Sequence, residues 1–314
     1  MRPTQPLKGG FRTDPAEMDY IANFMSANVD ARRWAQAREH EGWDALGCAD
    51  HFFTESRNYP HLWVTLATLA STTKRVRLTS AFANNLFRSP VEFAQASFQM
   101  QALSDGRFDA GLGAGWQRDE VVGGGLQYPP AHERAGRYAE AAQIVRQLFD
   151  TRACSFHGSY YDIEVPSLGP IQGTPPKLVV ALGGRRTIRE IAPFADRVEL
   201  KVISSATRGG TIDLQALAEV TQADLSDLVR RVRAVNETVP LGLFVLCSTS
   251  TDSRTRALEE SLSNTFVGGF FGSPTKVAES IAGLEALGIS SVDISPFADD
   301  TFEHLADLLP LSRP

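Results

Sequence analysis

The sequence has few cysteines and no long hydrophobic run. Three cysteines, Cys48, Cys154 and Cys247, are spread over 314 residues, and their spacing matches neither a disulfide framework nor a metal-binding motif. No apolar stretch approaches the roughly 20 residues that cross a bilayer, and the N-terminal segment lacks the apolar centre of a secretion signal. We therefore expect a cytoplasmic protein with no membrane partner and no metal site.

An excess of positive charge is also absent. The formal net charge is −6 at pH 7 and the sequence pI is about 5.6, whereas a nucleic-acid-binding protein usually has a basic surface. We expect a small-molecule substrate and no nucleic-acid partner. The hydrophobic content of 43% is typical of a globular protein with a large core. The chain is long enough for one β/α barrel, which needs about 250 residues.

The most informative part of the chain alternates between strand and helix patterns. Residues 75–82 predict a buried parallel strand, and Ser89-Pro90 is typical of the N-cap and first position of a helix. A turn then leads to a second strand at 107–113, which runs into the glycine loop Gly111–Gly115. A polar loop and a glycine loop thus follow successive strands, at the face where a β/α barrel has its active site.

The rest of the chain continues this alternation. Further strands are predicted at 18–25, 44–49, 177–182, 197–203, 241–247 and 291–294, and an amphipathic helix at 134–150 has Tyr138 in its apolar stripe. Two polar segments interrupt the pattern: 155–176, which suggests a hairpin, and 204–224, a candidate lid. Eight strands that mostly alternate with helices predict a (β/α)8 TIM barrel. We expect an extension at 1–17 and a single domain at 18–314.

Several segments resemble the luciferase-like flavin and deazaflavin oxidoreductases. They are Ala49–Phe52, Phe87–Pro90, Leu103–Phe108, Gly111–Trp116, Phe156–Gly158 and the strand between Pro175 and Gly184. Within this superfamily the chain is most similar to an actinobacterial branch assigned to coenzyme F420. The resemblance implies a TIM barrel with excursions after some strands, a homodimer, and F420 as the cofactor, with FMN as the alternative.

The resemblance also implies three contacts with the cofactor. Asp50 and His51, at the end of the second strand, would face its ring. A bulge with a non-proline cis peptide bond in the third strand would support the ring, and the matching position in this chain is Ser80-Ala81. The ribityl-phosphate arm would be held by Gly113, Ala114, Gly115 and Trp116 and by the helix start Gly183, Gly184, Arg185 and Arg186. Free amides at a helix start favour phosphate.

The proton donor is assigned to His51 or Glu55. Histidine exchanges protons near neutral pH, and an acid beside a hydride acceptor lowers the barrier as negative charge develops. Some deazaflavin dehydrogenases have a glutamate directly after the glycine loop, where this chain has Trp116. Another relative has a tryptophan where this chain has Glu55.

Several of these residues also have a purely structural interpretation. Asp50 either bonds the cofactor ring or orients His51, and the two can equally form a structural hydrogen-bonded pair. Asn84 either contacts the ring or is a turn residue. Trp116 either stacks near the cofactor or fills the mouth of the barrel, and Arg185 is either a phosphate ligand or solvated.

Three functions follow from these expectations. The first is an F420-dependent oxidoreductase that transfers a hydride between C5 of the deazaflavin and a small carbonyl, imine or activated alkene. The second is an FMN-dependent monooxygenase that uses reduced flavin and oxygen. The third is a non-catalytic flavin-binding protein. The sequence has no motif that identifies the substrate.

Overall fold

A computed structural model describes residues 18–54, 57–170, 173–298 and 300–311. The predicted extension at 1–17 and the predicted catalytic residue Glu55 lie outside the described residues. Within those ranges no helix has the length and apolar character needed to cross a membrane. The same ranges contain no group of three or more histidine, cysteine or acidic side chains placed to hold a metal ion.

The strands form a closed parallel sheet and a separate hairpin. They are β1 (Asp19–Phe24), β2 (Ala45–Cys48), β3 (Arg77–Ser80), β4 (Ala83–Asn84), β5 (Phe108–Gly113), β6 (Cys154–His157), β7 (Asp162–Val165), β8 (Lys177–Leu182), β9 (Arg197–Leu200), β10 (Leu241–Cys247) and β11 (Ser291–Pro296). The sheet order is β3-β2-β1-β11-β10-β9-β8-β5-β4, and a further β3–β5 pairing closes it. Because β3 and β4 are two parts of one barrel strand, the described sheet has eight strands. The predicted (β/α)8 TIM barrel is confirmed.

Helices surround the barrel and connect its strands. They are α1 (Ala31–Glu41), α2 (Leu62–Thr72), α3 (Pro90–Leu103), α4 (Arg118–Gly123), α5 (Ala131–Thr151), α6 (Arg185–Ile191), α7 (Ser204–Thr207), α8 (Leu214–Ala218), α9 (Gln222–Arg233), α10 (Ser253–Ser261), α11 (Pro274–Ala282) and α12 (Thr301–Leu305), with 3-10 turns at Ala192–Phe194, Val267–Phe270 and Glu285–Leu287. Their ends follow local chemistry. Ser89 caps α3 and Pro90 is its first residue, while Gly42 ends α1 at a φ of 95°.

Several predicted segments differ from the structure in their bounds or content. The strand predicted at 197–203 ends at Leu200, because the chain turns at once into the short helix α7. The candidate lid contains α7 and α8. The sequence pattern at 274–287 predicts one helix, whereas in the structure α11 ends at Ala282 and a 3-10 turn follows, which Gly288 terminates at a φ of 81°.

The predicted hairpin is formed by β6 and β7, which pair in antiparallel register. One carboxylate anchors its turn to the barrel. Glu140 on α5 accepts hydrogen bonds from the backbone N–H groups of Ser159, Tyr160 and Tyr161 at 2.7, 2.9 and 3.0 Å. The hairpin is thereby held beside the helix that packs on β5 and β8.

Charged side chains fill the barrel interior at the end where the strands begin. Arg77 on β3 donates to Asp19 on β1 at 2.5 Å and to Asp109 on β5 at 2.9 Å. Arg197 on β9 lies 3.1 Å from Glu199 and 3.6 Å from Asp109. All five side chains are buried, so these ion pairs join four strands of the barrel across its axis.

Candidate active site

The predicted site residues gather where the parallel strands end. Asp50 and His51 follow β2, Asn84 ends β4, and Gly113 ends β5. Gly183 follows β8 on the same face, because the strands are parallel. The structure therefore brings the ring contacts and both glycine segments to one end of the barrel, which is where (β/α)8 enzymes carry their active sites.

His51 is fixed by a buried carboxylate and two aromatic rings. Its Nδ1 lies 2.9 Å from Oε1 of Glu120, whose side chain is 0% exposed, and the second carboxylate oxygen accepts the N–H of Phe52 at 2.8 Å. The ring centroids of Tyr59 and Trp116 lie 4.6 and 6.1 Å from the imidazole. Since a carboxylate accepts, Nδ1 carries the proton of this bond, and Nε2 is left to exchange a proton with a ligand.

Asp50 does not orient His51, which corrects one of its two predicted roles. Its carboxylate accepts the N–H of Asn84 at 2.7 Å and also accepts hydrogen bonds from both terminal nitrogens of Arg88. The bidentate pair is buried beside the ring of Trp63, which lies 5.6 Å from the guanidinium. Asp50 therefore ties the end of β2 to the start of α3. Its contact with a cofactor ring stays a prediction.

The structure has a non-proline cis peptide bond in the third barrel strand, one residue later than predicted. It joins Ala81 to Phe82 rather than Ser80 to Ala81. Ser80 is still paired with β2, and its hydroxyl exchanges hydrogen bonds with the backbone N–H and carbonyl of Gly111, both at 2.8 Å. The chain therefore leaves the ladder only after Ser80.

A glycine on β5 is required beside this bulge. A Cβ placed on Gly111 would lie 1.9 Å from the carbonyl oxygen of Ser80, so any side chain would separate the two strands. Gly115 adopts a φ of 77°, and its Cβ would lie 2.3 Å from Oδ1 of Asn84. That oxygen already accepts the N–H of Leu86 at 2.9 Å. The side-chain oxygen of Asn84 thus stabilises the turn that follows β4. The contact of Asn84 with a cofactor ring stays a prediction.

Both glycine segments present free backbone donors. Among the described residues, none accepts a hydrogen bond from the N–H groups of Ala114, Gly115 or Trp116. The same holds for the N–H groups of Gly183 and Gly184 within the described part of the chain. A Cβ on Gly184 would meet only the hydroxyl of its neighbour Thr187, at 3.4 Å, so the space beside this glycine is open.

The two arginines after Gly184 differ in their environment. Arg186 is bound to Glu190 at 3.0 Å and to the carbonyl of His132 at 3.1 Å. Arg185 is exposed, and no described residue is its ion-pair or hydrogen-bond partner. Of the two guanidiniums, Arg185 is therefore the one available to a ligand.

Tyr138 joins the strands beneath both glycine segments. Its hydroxyl donates to the carbonyl of Leu112 on β5 at 2.6 Å and accepts the N–H of Ala181 on β8 at 3.0 Å. Burial raises the pKa of this phenol well above its usual range. The apolar spacing in α5 predicts only a packing role for Tyr138. Such a pattern does not reveal which groups its hydroxyl contacts.

A cavity of about 650 Å³ opens beside His51, between the ends of β1, β2 and β11. Tyr59, which packs on the imidazole, lines it together with Phe52, Arg57, Arg254 and Phe297. The guanidinium of Arg57 is occupied by the carbonyls of Pro296 and Phe297. This volume lies within the range of small-ligand sites, roughly 300–1,000 Å³.

Glu120 is the main residue that the sequence alone does not reveal. It lies four residues after Trp116, and helix α4 turns its carboxylate back toward the end of β2. The sequence signal that could have pointed to Glu120 is an acidic residue in the first turn of the helix that follows the glycine loop. Its meaning depends on a contact 69 positions away in the chain, which no local pattern contains.

A closed barrel with a histidine–carboxylate pair at the carboxyl ends of its strands defines an enzyme of the (β/α)8-barrel class. Within this class the chain belongs to the luciferase-like monooxygenase family, whose sequence profile matches residues 20–226. The predicted resemblance is confirmed, and the protein is an oxidoreductase.

Relatives of two kinds are similar to the chain. The F420-dependent glucose-6-phosphate dehydrogenase of Amycolatopsis mediterranei is 25% identical over 288 residues, which cover 90% of this chain and 78% of the relative. The pyrimidine monooxygenase RutA of Methylobacterium radiotolerans is 36% identical over 134 residues, covering 42% of this chain and 35% of the relative. The more extensive match is to the dehydrogenase.

Solved structures share the fold. An F420-dependent secondary alcohol dehydrogenase in complex with an F420–acetone adduct superposes with a TM-score of 0.74 at 15% identity, covering 95% of this chain and 100% of that one. Monooxygenase RslO1 from Streptomyces bottropensis gives a TM-score of 0.69 at 18% identity, covering 94% and 97%. At these identities the likeness establishes the architecture alone.

Proposed function

We propose that the protein is a coenzyme F420-dependent oxidoreductase that transfers a hydride between C5 of the deazaflavin and a small carbonyl, imine or activated alkene. The observation that carries this proposal is the His51–Glu120 pair, with Nδ1 and Oε1 2.9 Å apart at the mouth of the barrel. An acid–base group in that position suits a substrate that gains negative charge as it accepts a hydride. The match to F420-dependent dehydrogenases supports the choice of cofactor.

The residues present fit a cofactor with a flat ring and a phosphate-bearing arm. Two runs of unpaired backbone N–H groups, at Ala114–Trp116 and at Gly183–Gly184, offer donors to phosphate and ribityl oxygens. The exposed Arg185 adds a positive charge beside the second run. When bound, F420 supplies hydride transfer at C5, which no protein side chain can perform.

His51 moves the proton in this proposal. Glu120 holds the imidazole by Nδ1, so the proton that reaches or leaves the substrate passes through Nε2. The buried carboxylate also stabilises the imidazolium that forms when the histidine takes a proton. Tyr59 and Trp116 restrict the ring to one orientation and keep water from its faces. Glu55 stays a predicted second donor, outside the described residues.

Binding measurements test the cofactor. The purified protein is titrated with F420 and with FMN, each followed by its own fluorescence. Gly184→Val should weaken F420 binding at least tenfold, because its side chain enters open space that the protein does not use. Gly283→Val is the matched control, since a Cβ at Gly283 meets its nearest atom at 3.5 Å and this residue ends α11, which leads to the start of β11 at the other end of the barrel. Tight FMN binding without F420 binding would contradict the proposal.

Turnover then tests the reaction. Reduced F420 is mixed anaerobically with 2-butanone, benzaldehyde and 2-cyclohexen-1-one, which represent ketones, aldehydes and activated alkenes. Reoxidation of the cofactor by at least one of them is the expected result.

The alternative is an FMN-dependent monooxygenase, and one comparison favours it. The match to pyrimidine monooxygenase RutA has the higher local identity, 36%, although it covers only 42% of the chain. Oxygen consumption with reduced FMN distinguishes the two functions, because a deazaflavin does not readily activate oxygen. A protein that binds either cofactor without turnover would be the non-catalytic flavin-binding protein of the third hypothesis.

A further inference from the structure

A lysine lies at the same mouth of the barrel. Lys201 directly follows β9, and its side chain is half-buried. Its backbone carbonyl borders the second glycine segment, since a Cβ on Gly183 would lie 2.6 Å from that oxygen. Its ammonium lies 4.5 Å from the ring centroid of Phe82, the residue that follows the cis bond. Lys201 therefore touches both parts of the proposed cofactor site.

The ammonium of Lys201 is held by rings instead of acceptors. Nζ lies 3.1 Å from the ring centroid of Phe244, opposite Phe82. Among the described residues, none accepts a hydrogen bond from Nζ. Aromatic faces attract a cation, yet they offer its three N–H donors no lone-pair acceptor. A lysine in this state is ready to donate to a ligand.

Acidic groups beneath Lys201 stabilise its charge. Burial lowers the pKa of Lys201 to about 7, while the carboxylates of Asp293 on β11 and Glu199 on β9 favour its charged form. Burial also raises the pKa of Asp293 to about 7, and Asn23 donates a hydrogen bond to it. Arg197 lies next to Glu199, and its positive charge opposes the rise in pKa of both acids, Glu199 and Asp293. A negative charge that a ligand brings near Lys201 therefore increases the fraction of this lysine that is protonated.

We propose that the Lys201 ammonium is the electrostatic catalyst of this site: it binds the substrate atom that becomes negative as the hydride arrives. This role rests on the proposed F420-dependent function. When the carbonyl carbon gains the hydride, the π-electron pair moves to oxygen, and the ammonium stabilises that alkoxide. The proton that completes the alcohol comes from Nε2 of His51. Carbon is reduced by two electrons, and these come from the reduced deazaflavin.

The protonation of Lys201 can be measured without any cofactor. The chain has five lysines, at 8, 74, 177, 201 and 276, so competitive acetylation followed by peptide mass mapping resolves each amine. The labelling midpoint of Lys201 should lie near pH 7 instead of 10.5. Asp293→Asn should move it lower, since the lost carboxylate favours the ammonium. A midpoint at or above pH 10 would show an amine open to solvent instead of enclosed at the mouth of the barrel, and would overturn the proposal.

Kinetics of the holoenzyme test the catalytic role with the carbonyl compound that reacts fastest in the turnover assay. Lys201→Met should lower kcat by about 100-fold, as when one donor to a developing oxyanion is removed, with F420 affinity changed less than about threefold. Lys201→Arg should recover part of kcat, because it restores a cation. Added ethylammonium should do the same in Lys201→Ala, whose short side chain leaves room for the amine. Lys74→Met, a change at an exposed lysine, should match the wild type.

The results separate this proposal from the one it rests on. Normal F420 binding with kcat unchanged in Lys201→Met overturns the role of Lys201 and leaves the proposed function standing. A wild-type protein that binds no F420 overturns both.

Discussion

Among single side chains, His51 has the most constrained environment at the mouth of the barrel. Glu120 holds one nitrogen, while Tyr59 and Trp116 pack against the ring. Two of these partners follow the glycine loop, so the loop with unpaired amides leads directly into the helix whose Glu120 holds the imidazole. Under the proposed function, one segment of chain would serve both cofactor binding and proton transfer.

Glu120→Gln should separate orientation from binding. The amide keeps the size of the carboxylate but loses the charge that stabilises the imidazolium, so kcat should fall by about 10- to 100-fold, in line with the loss of a supporting partner. F420 affinity should be unchanged in fluorescence titrations. Asp119→Asn is the control, because this neighbouring acid is exposed and its loss should leave kcat within about twofold.

Equal activity of Glu120→Gln and the wild type across the pH range would contradict this assignment and would leave Glu55 as the predicted donor.

The sequence predicted the residues of this site unevenly, for physical reasons. His51 follows a strand, and its position could be predicted from strand order alone. Glu120 and Lys201 could not be assigned in this way, because their roles arise from contacts between distant segments: a carboxylate 69 positions from its histidine, and a lysine between two rings. Asp50 was predicted beside the ring, and that contact stays a prediction, while its carboxylate forms an ion pair with Arg88 that the sequence pattern does not reveal.

Among the helices and strands, the sequence predicted the ends most accurately where a short apolar run lies between turn residues. The strands Lys177–Leu182 and Leu241–Cys247 have the predicted bounds, since each is a short apolar run between turn residues. The alternation at 75–82 predicts one continuous strand, and only the resemblance implies a bulge at Ser80-Ala81; the structure divides the strand into β3 and β4. Its division depends on Gly111 of the neighbouring strand, which no property of residues 75–82 encodes.

Helix α10 offers a test of capping with a defined pH dependence. Asp252 accepts the N–H groups of Arg254 and Thr255 at 2.8 and 2.9 Å, and the Thr255 bond is the main cause that lowers the pKa of Asp252 to about 2. Asp252→Ala should lower the free energy of unfolding by about 1 kcal/mol at pH 7.

This stabilisation should disappear in acid. A lowered carboxyl pKa adds stability above the unfolded value of 3.8 and loses it as pH falls toward about 2, so urea unfolding of Asp252→Ala and wild type should converge in that window. Asp252→Asn keeps the cap and should stay close to wild type at pH 7. A constant difference between Asp252→Ala and wild type from pH 7 to pH 2 would contradict the assignment.

For the barrel taken as one molecule, the buried ion pairs at the start of the strands decide how firmly it closes. Arg77 reaches from β3 to both β1 and β5, and β3–β5 is the pairing that completes the ring of strands. The sequence predicted eight strands but not their charged interior. Inward-facing positions can be read as buried, whereas the pairing of their charges depends on the closed barrel.

Arg77→Met should destabilise the whole domain. The variant leaves Asp19 and Asp109 buried without their shared cation, and the loss of one partner from a buried ion pair costs about 3–5 kcal/mol. Chemical denaturation followed by circular dichroism measures the change. Arg75→Met replaces an exposed arginine two residues earlier and should change the free energy of unfolding by less than about 0.5 kcal/mol. Equal losses in the two variants would contradict the argument.

The predicted homodimer and the predicted cytoplasmic location stay predictions. Light scattering of the purified protein measures the first, and fractionation of cells that express it measures the second.

One carboxylate, Glu140, anchors the turn of the hairpin of β6 and β7 by accepting three successive amides. The hydroxyl of Tyr161 in the same turn accepts a hydrogen bond from Asn85 at 3.2 Å, close to the bulge. Such a hairpin can be exchanged only within limits: its turn must present three consecutive amides to Glu140, and its first residue must fill the core as Cys154 does. Protein engineers can vary the exposed residues of β6 and β7 between these two anchors while the barrel stays unchanged.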